Sequence, residues 1–321
     1  MAFDKTKRAL RIVFMGTPDF AVAGLKKLVH ADYHIVGVVT EPDKPAGRGR
    51  KLHQSAIKVF AEKKGLHLLQ PANLKSEAFV TELKAVRPNL QIVVAFRMLP
   101  KVIWQIPEYG TFNLHASLLP QYRGAAPINW AIINGEKKTG VTTFFIDSKI
   151  DTGEIILQKE TAIENDESAG VLHDKLMDLG ADLILETVEL IARKQVTAQK
   201  QPTNDVLLPA PKIFREDCKI DWSLPTEAIY NFVRGLSPYP SAWSTIKNGE
   251  EEIVFKLFQT EMEESKHLYE TGTIVKSTGV LKVATKDGFL HLTEMQLSGK
   301  RRMTIKEVLN GLKLENEAHM R

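Results

Sequence analysis

Hydrophobic and polar residues follow two periodic patterns up to Ala192. Short apolar runs are typical of buried strands, and the stretches between them repeat apolar residues every three or four positions, as one helix face does. The predicted strands are residues 10–15, 34–40, 66–69, 90–95, 111–115, 141–147 and 154–159, and the predicted helices are 18–30, 54–64, 75–86, 126–133 and 171–192. Strands and helices that alternate at this spacing predict a doubly wound, Rossmann-like α/β domain.

The pattern changes after Lys194. Residues 196–212 are polar, contain prolines and lack periodicity, which is typical of a linker. Short alternating runs then predict strands near 243–246, 253–258, 272–275, 280–284 and 289–293, with a helix near 226–234. Short strands at this spacing predict a small OB-like β-barrel. We therefore expect a catalytic domain at 1–195, a linker at 196–212 and a C-terminal domain at 213–321.

The first strand is followed by a turn that reads Gly16-Thr17-Pro18. A dinucleotide-binding fingerprint needs three glycines here, and the sequence offers one, so a nicotinamide enzyme is not predicted. We expect an ordinary turn in which Thr17 is the helix N-cap and Pro18 the first helical residue.

The composition is that of a globular protein, with 43% apolar and 26% charged residues among 321. Cys218 is the single cysteine, so we expect a reducing compartment and neither a disulfide framework nor a thiolate zinc cluster. The nine histidines lack ligand spacing, and no metal is predicted. No segment resembles a signal peptide or a membrane span, which favours the cytoplasm. Nothing in the sequence requires more than a monomer.

Positive charge is concentrated near the N-terminus. Residues 1–100 hold 17 Lys and Arg against 8 Asp and Glu, whereas residues 201–321 are nearly balanced. The loop at 41–52 alone contributes Lys44, Arg48, Arg50 and Lys51, together with two glycines and two prolines. A polyanionic partner would use this charge, although basic loops are also often merely solvated.

The strongest candidate chemistry lies in the strand at 111–115. Residues two apart in a strand share a face, so Asn113 and His115 project together while Leu114 points away. The carboxyl end of such a strand is where open α/β sheets bind ligands. The plain alternative is a structural asparagine beside a hydrogen-bonded histidine. The apolar loop that follows, Ser117-Leu118-Leu119-Pro120, is suited to forming a pocket wall.

Two aspartates follow the strand at 141–147. Asp147 and Asp151 each fit a turn, where aspartates are common and usually inert. Either carboxylate is a candidate to orient the His115 ring and raise its basicity. Periodicity does not choose between them.

Several stretches together resemble one family. They read RIVFMGTPDFAV at 11–22, EPDKPAGRGRKL at 41–52, NLHASLLPQYRGAAPINWAI at 113–132, GVTTFFIDSKIDTGEII at 140–156, KIDWSLPTEAIYNFVRGLSPYPSAW at 219–243 and LSGKRRMTIKEVLNG at 297–311. The chain is similar, almost end to end, to the folate-dependent formyltransferases, and most of all to those acting on initiator methionyl-tRNA.

The resemblance implies formyl transfer from 10-formyltetrahydrofolate to the methionine α-amine on initiator tRNA. It implies that Asn113 donates to the oxyanion, that His115 moves protons, and that Asp151 polarises His115 or the amine. It also implies that residues 117–120 line the folate site, and that the basic loop, Arg48 above all, contacts the acceptor stem. We further expect basic residues of the C-terminal domain to extend that contact.

Two alternative functions are considered. A small-amine formyltransferase of the glycinamide ribonucleotide type, or a formyltetrahydrofolate hydrolase, would need the same Asn-His-Asp set. A non-catalytic tRNA- or folate-binding protein would not need all three residues. The second domain and the basic loop argue against the first alternative, and the presence of Asn113, His115 and Asp151 together argues against the second.

Overall fold

A computed structural model of the chain describes residues 9–46, 51–202 and 206–321. These form two compact units. Of the described residues, the first unit contains those up to Gly124 and those within 140–161 and 173–209, and the second contains 125–139, 162–172 and 210–321. Two short segments from within the predicted catalytic domain, 125–139 and 162–172, thus belong to the second unit. The domain limits expected at residues 195 and 213 remain a prediction.

The first unit is built on a seven-stranded sheet. The strands up to residue 210 are β1 (Arg11–Gly16), β2 (His34–Val39), β3 (Lys44–Ala46), β4 (Lys51–His53), β5 (Leu68–Leu69), β6 (Leu90–Val94), β7 (Thr111–His115), β8 (Arg123–Gly124), β9 (Lys138–Phe145), β10 (Ile155–Ala162) and β11 (Pro209–Ala210). The sheet order is β10-β9-β7-β6-β1-β2-β5. Strands β5, β2, β1, β6 and β7 pair in parallel, whereas β7 and β9 are antiparallel. The order confirms the predicted α/β class.

Six helices of the described chain alternate with these strands along the sequence. They are α1 (Asp19–His30), α2 (Ala56–Lys63), α3 (Glu77–Ala85), α4 (Lys101–Trp104), α5 (Pro127–Ile133) and α6 (Ala169–Ala192). The expected N-cap of α1 was wrong, because Pro18 takes that position and its carbonyl oxygen accepts from Ala21 N at 3.1 Å. The Thr17 hydroxyl makes no hydrogen bond among the described residues.

Helix α6 determines which face of β7 remains available. An ideal Cβ built on Gly180 would lie 2.6 Å from Leu114 Cδ2, so glycine allows this close approach of helix to strand without displacing the Leu114 side chain. Phe112 and Leu114 are accordingly buried on one face. Because side chains alternate along a strand, Asn113 and His115 lie on the other face.

The second unit is an antiparallel barrel with a helix against it. Its elements after residue 210 are a 3₁₀ turn (Glu216–Cys218), α7 (Thr226–Leu236), β12 (Ala242–Asn248), β13 (Glu251–Glu264), β14 (Ile274–Ser277), β15 (Val280–Ala284), β16 (Gly288–Leu297), β17 (Met303–Thr304), α8 (Ile305–Gly311) and β18 (His319–Met320). The strand order is β14-β15-β16-β13-β12-β18, with β17 on β16. This confirms the predicted small barrel.

Strand β13 is much longer than predicted. Alternating burial places Phe255 and Leu257 in the core, but Phe258 is also buried, and the alternation then continues from Phe258 to Thr260. The pairing register with β16 shifts at the same point, between Leu257 and Thr260. A bulge of this kind bends a strand, which lets β13 pair with both β12 and β16. Because the alternation of buried and exposed residues breaks here, the strand predicted from the sequence ended at residue 258.

Across the described ranges, no helix has both the length and the apolar content required to cross a membrane.

Phe255 and Val254 provide a test of the barrel core. Phe255 is 1% exposed and Val254 is 40% exposed on the opposite face of β13. Phe255→Ala should lower the free energy of unfolding by about 3–5 kcal/mol, since it removes a large buried ring and leaves a cavity. Val254→Thr keeps the branched side chain at the surface and should change it by less than about 0.5 kcal/mol. Urea unfolding followed by circular dichroism measures both, and equal losses would contradict this core.

Candidate active site

His115 lies at the carboxyl end of β7 and is 8% exposed. Its Nε2 atom is 2.8 Å from the carbonyl oxygen of Tyr122. A carbonyl oxygen only accepts hydrogen bonds, so Nε2 must carry a proton. In the neutral ring, Nδ1 therefore presents a lone pair. The strand and the loop after it thus fix both the orientation and the tautomer of the ring.

Asp151 faces that lone pair. Its Oδ2 atom is 3.8 Å from His115 Nδ1 and accepts a hydrogen bond from Gly124 N at 3.0 Å. Asp147 instead accepts from Thr152 Oγ1 at 2.8 Å and from Lys149 N at 2.9 Å, within its own loop. Of the two aspartates that the sequence left open, Asp151 lies beside the ring and Asp147 shapes the turn.

The turn at Asp151 has demanding backbone geometry. Asp151 has a φ of +54°, in the left-handed region that few non-glycine residues adopt. Two residues later, an ideal Cβ built on Gly153 would lie 1.6 Å from the carbonyl oxygen of Phe145. Only glycine fits there, which gives the glycine of the Asp-Thr-Gly motif a steric reason. The turn can then bring the Asp151 carboxylate to the ring.

Gln201 holds the turn in place, a role that sequence reasoning missed. Its Nε2 donates to the carbonyl oxygens of Asp151 at 2.9 Å and Gly153 at 2.8 Å. Its Oε1 accepts from Arg123 Nε at 3.1 Å and Nη2 at 2.5 Å. Gln201 is only 8% exposed, although it lies in the segment interpreted as a linker. A single glutamine in a polar stretch carries no periodic signal.

The loop at residues 117–120 is fixed by a buried hydroxyl on β9. Thr142 Oγ1 donates to Ser117 O at 2.6 Å and accepts from Leu119 N at 3.1 Å. Gln158 Nε2 donates both to Thr142 Oγ1 and to Leu119 O, each at 2.9 Å. The Ser117 and Leu119 side chains are buried, whereas Leu118 and Pro120 are partly exposed. Sequence reasoning missed Thr142 and Gln158, because threonine and glutamine are unremarkable in strands.

Asn113 is half-buried and lies between Val93 of β6 and Phe144 of β9 in the sheet register. In the part of the chain that the structure describes, its carboxamide has no hydrogen-bond partner. The group is therefore available to donate to an oxygen of a ligand.

The basic loop is only partly within the described residues. Lys44 is exposed on β3 and forms an ion pair with Glu41. The backbone of Lys51 pairs with β3 as part of β4. Arg48 and Arg50 lie outside the described residues.

The base of this loop is anchored to the sheet by ionic and polar contacts. Lys58 Nζ lies 2.6 Å from Asp43 Oδ2, and Gln70 Nε2 donates to Asp43 Oδ1 and to Glu41 O. The hydrogen bond from the Lys58 ammonium lowers the pKa of the Asp43 carboxyl, and the Gln70 amide adds to the effect. The carboxylate therefore stays charged at neutral pH, and its bond to Lys58 is retained.

Comparisons with known proteins identify the family. The formyl transferase family matches residues 10–188, and the formyl transferase C-terminal domain family matches residues 212–313. Methionyl-tRNA formyltransferases from Flavobacterium johnsoniae and Bacteroides thetaiotaomicron are 54% and 51% identical to the chain, over 309 and 315 residues. The alignments cover 96% and 97% of the chain and 98% of each relative.

Solved structures are similar in fold. HypX from Aquifex aeolicus in complex with tetrahydrofolic acid has a TM-score of 0.64 at 19% identity, over 95% of this chain and 48% of HypX. The chain thus spans about half the length of HypX. An N-formyltransferase from Helicobacter canadensis, in complex with folinic acid and dTDP-3-aminofucose, has a TM-score of 0.61 at 18% identity, over 90% and 99% of the two chains. At these identities the likeness concerns the fold alone.

The bond from His115 to Tyr122 predicts a specific proton position. The Nε2 proton is buried and hydrogen-bonded, so it should exchange slowly with water and give a ring N–H resonance at neutral pH. The exposed His30 ring should give none. Nitrogen-resolved NMR of histidine-labelled protein measures this, and a proton on Nδ1 of the neutral His115 ring would contradict the assignment.

Proposed function

This chain belongs to the methionyl-tRNA formyltransferase family, and we propose that it transfers the formyl group of 10-formyltetrahydrofolate to the methionine α-amine of initiator tRNA. The formylated tRNA would then serve translation initiation in the cytoplasm. The observation that carries this proposal is the end-to-end likeness to methionyl-tRNA formyltransferases. The short distance between His115 Nδ1 and Asp151 Oδ2 supports the proposed formyl transfer.

The proposed proton path runs through His115 Nδ1. Attack by the amine on the formyl carbon leaves a positive charge on nitrogen, and a lone pair is needed to take its proton. Nε2 is engaged with Tyr122 O, so Nδ1 is the available base. Once protonated, the ring would be stabilised by Asp151, now 3.8 Å away. Catalytic contacts often shorten when substrate binds, which fits this separation.

Asn113 would supply the complementary donor. The formyl oxygen gains negative charge as the amine attacks, and a preorganised amide N–H stabilises that charge. The Asn113 carboxamide shares a face with His115 and makes no competing hydrogen bond in the described chain. Donor and base would therefore act on the oxygen and on the nitrogen of the same reacting centre. The transfer would be completed when the bond between the formyl carbon and N10 of the folate breaks, N10 takes up the proton held by His115, and tetrahydrofolate leaves.

The folate would lie against the loop at 117–120. The buried Ser117 and Leu119 side chains would shape the backbone, and the partly exposed Leu118 and Pro120 would contact the co-substrate. Thr142 and Gln158 hold this loop by its own backbone groups, which favours a preformed wall.

The initiator tRNA would bind the basic loop. Lys44, Arg48, Arg50 and Lys51 would contact phosphates of the acceptor stem, and guanidinium groups can bind phosphate bidentately. Arg48 is the principal candidate by resemblance to the family. The Asp43–Lys58 contact would hold the base of the loop during binding. Basic clusters of the second unit would extend the contact, and affinity should therefore fall as salt rises.

One assay separates this function from its alternatives. The protein is incubated with 10-formyltetrahydrofolate and either charged initiator tRNA, glycinamide ribonucleotide or water alone as acceptor. We expect formyl-methionine on the tRNA and little formate or formylated ribonucleotide. Turnover with only the ribonucleotide or water would indicate the small-amine or hydrolase alternative. Binding of both substrates without turnover would indicate a non-catalytic protein.

Removal of the Asn113 donor should cost mostly turnover. Asn113→Ala should lower kcat by about 100- to 1000-fold, the usual cost of one oxyanion donor. Asn73→Ala makes the same change at an exposed amide and should stay within about twofold of the unmodified protein. Steady-state formyl transfer to charged tRNA measures both, and a loss below tenfold for Asn113→Ala would contradict the oxyanion role.

Removal of the Thr142 hydroxyl should cost folate affinity. Thr142→Val removes the hydrogen-bond partner of the Leu119 amide and of the Ser117 carbonyl oxygen, which costs about 1–3 kcal/mol. The KM for 10-formyltetrahydrofolate should rise about tenfold. Thr143→Val, the neighbouring buried threonine that bonds Thr187 on the opposite face, is the matched control. Equal KM values in the two variants would show that the effect is general destabilisation.

A further inference from the structure

The second unit contains a cavity that the proposed chemistry does not use. It measures about 720 Å³, lies between α7 and the end of β13, and every lining residue belongs to the second unit. Three cationic side chains (Lys137, Arg234 and Lys266) and three acidic ones (Glu227, Glu264 and Asp287) line it. Its overall charge is balanced, so any preference for a ligand must come from particular groups.

Arg234 is the unusual group. It is 6% exposed, and its Nε donates to Asn231 Oδ1 at 2.8 Å while Nη1 donates to Glu167 O at 2.9 Å. All of its acceptors are uncharged. No carboxylate lies within salt-bridge distance of the guanidinium in the described chain, and Nη2 donates no hydrogen bond there. Burial accordingly lowers the pKa of Arg234.

Glu167, Glu227 and Asp166 attract the guanidinium without bonding to it, and they offset the desolvation of its charge only in part. A buried guanidinium with no directly bonded anion is costly. The Asn231 and Glu167 contacts hold the side chain in place and leave the N–H groups of Nη2 uncommitted. A hydrogen bond from a guanidinium N–H to a phosphate oxygen is stronger than one to a neutral acceptor. The missing partner is thus chemically defined as an oxyanion.

The rest of the cavity fits more than a bare anion. Its volume lies within the range of about 300–1,000 Å³ that small-molecule sites occupy. The Tyr230 ring lines it, with the ring centroid 5.7 Å from Arg234 Cζ and the hydroxyl donating to Asn165 O at 3.1 Å. A ring fixed in this way is suited to stacking against a base. Glu227 and Glu264 can accept from ribose hydroxyls.

We propose that this cavity binds a nucleotide, with the phosphate on Arg234 and the base on Tyr230. Lys137 and Lys266 at the cavity supply further charge near the phosphate. The nucleotide is either free or part of an RNA strand, and the two sources present the same phosphate, ribose and base. The site is distinct from the residues proposed for formyl transfer, none of which lines the cavity.

Calorimetric titration of the full chain at low salt tests the proposal. The probes are AMP, adenosine, inorganic phosphate and the trinucleotide ApApA. We expect AMP to bind at least about tenfold more tightly than adenosine, because a hydrogen bond to a charged group typically adds at least this much affinity. Binding of AMP alone identifies a free nucleotide, and binding of ApApA in competition with AMP identifies RNA. Absence of binding by AMP, phosphate and ApApA overturns the proposal.

Two variants assign the binding to this cavity. Arg234→Lys keeps the charge but removes the Nη2 donor and the contacts that fix its position, and should weaken AMP binding about tenfold. Tyr230→Leu, at a partly exposed position, should remove the advantage of AMP over inorganic phosphate while phosphate still binds. AMP binding unchanged in both variants would overturn the assignment. Formyl transfer at saturating substrates should stay within about twofold in each, so loss of nucleotide binding is distinguishable from failure of the proposed function.

Discussion

The approach of Asp151 to His115 is the constraint on which the candidate active site depends. The two residues are 36 positions apart in sequence, and Nδ1 and Oδ2 lie 3.8 Å apart. Contacts from other residues hold each of the two side chains in position. The Tyr122 carbonyl orients the ring, the Gly124 amide orients the carboxylate, and Gln201 holds the backbone of the turn. The steric demand at Gly153 comes from the same geometry, since a side chain there would displace the turn from β9.

The surroundings of the site are fixed mainly by side chains that bond to backbone atoms. Thr142, Gln158 and Gln201 each hold the backbone of a loop; Thr142 and Gln201 are buried, and Gln158 is exposed. Loops are the most mobile part of an α/β fold, and chemistry that needs sub-ångström placement requires such support. The antiparallel strand β9 provides it, because its inner face brings Thr142 opposite His115 in the register.

Much of this arrangement follows from periodicity, and the rest depends on contacts that are remote in sequence. The period of two in β7 predicted that Asn113 and His115 share a face, and Gly180 shows how the opposite face is covered. Periodicity did not distinguish Asp147 from Asp151, because turn residues have no repeat to follow. Gln201 escaped notice because its partners lie about 50 residues away, and β13 was truncated because a bulge breaks the alternation that marks a strand. The predicted N-cap position, Thr17, was wrong by one residue, because a proline with extended backbone can itself occupy the position before the first helical turn.

The most direct test of the account is a double-mutant cycle on His115 and Asp151, read as the single-turnover rate of formyl transfer to charged initiator tRNA. His115→Asn and Asp151→Asn are measured alone and together. If imidazole and carboxylate act as one unit, the double variant should be about as slow as the slower single variant, as for residues that share one catalytic step. Rate losses that multiply in the double variant would show that the two groups act independently, and would contradict the account.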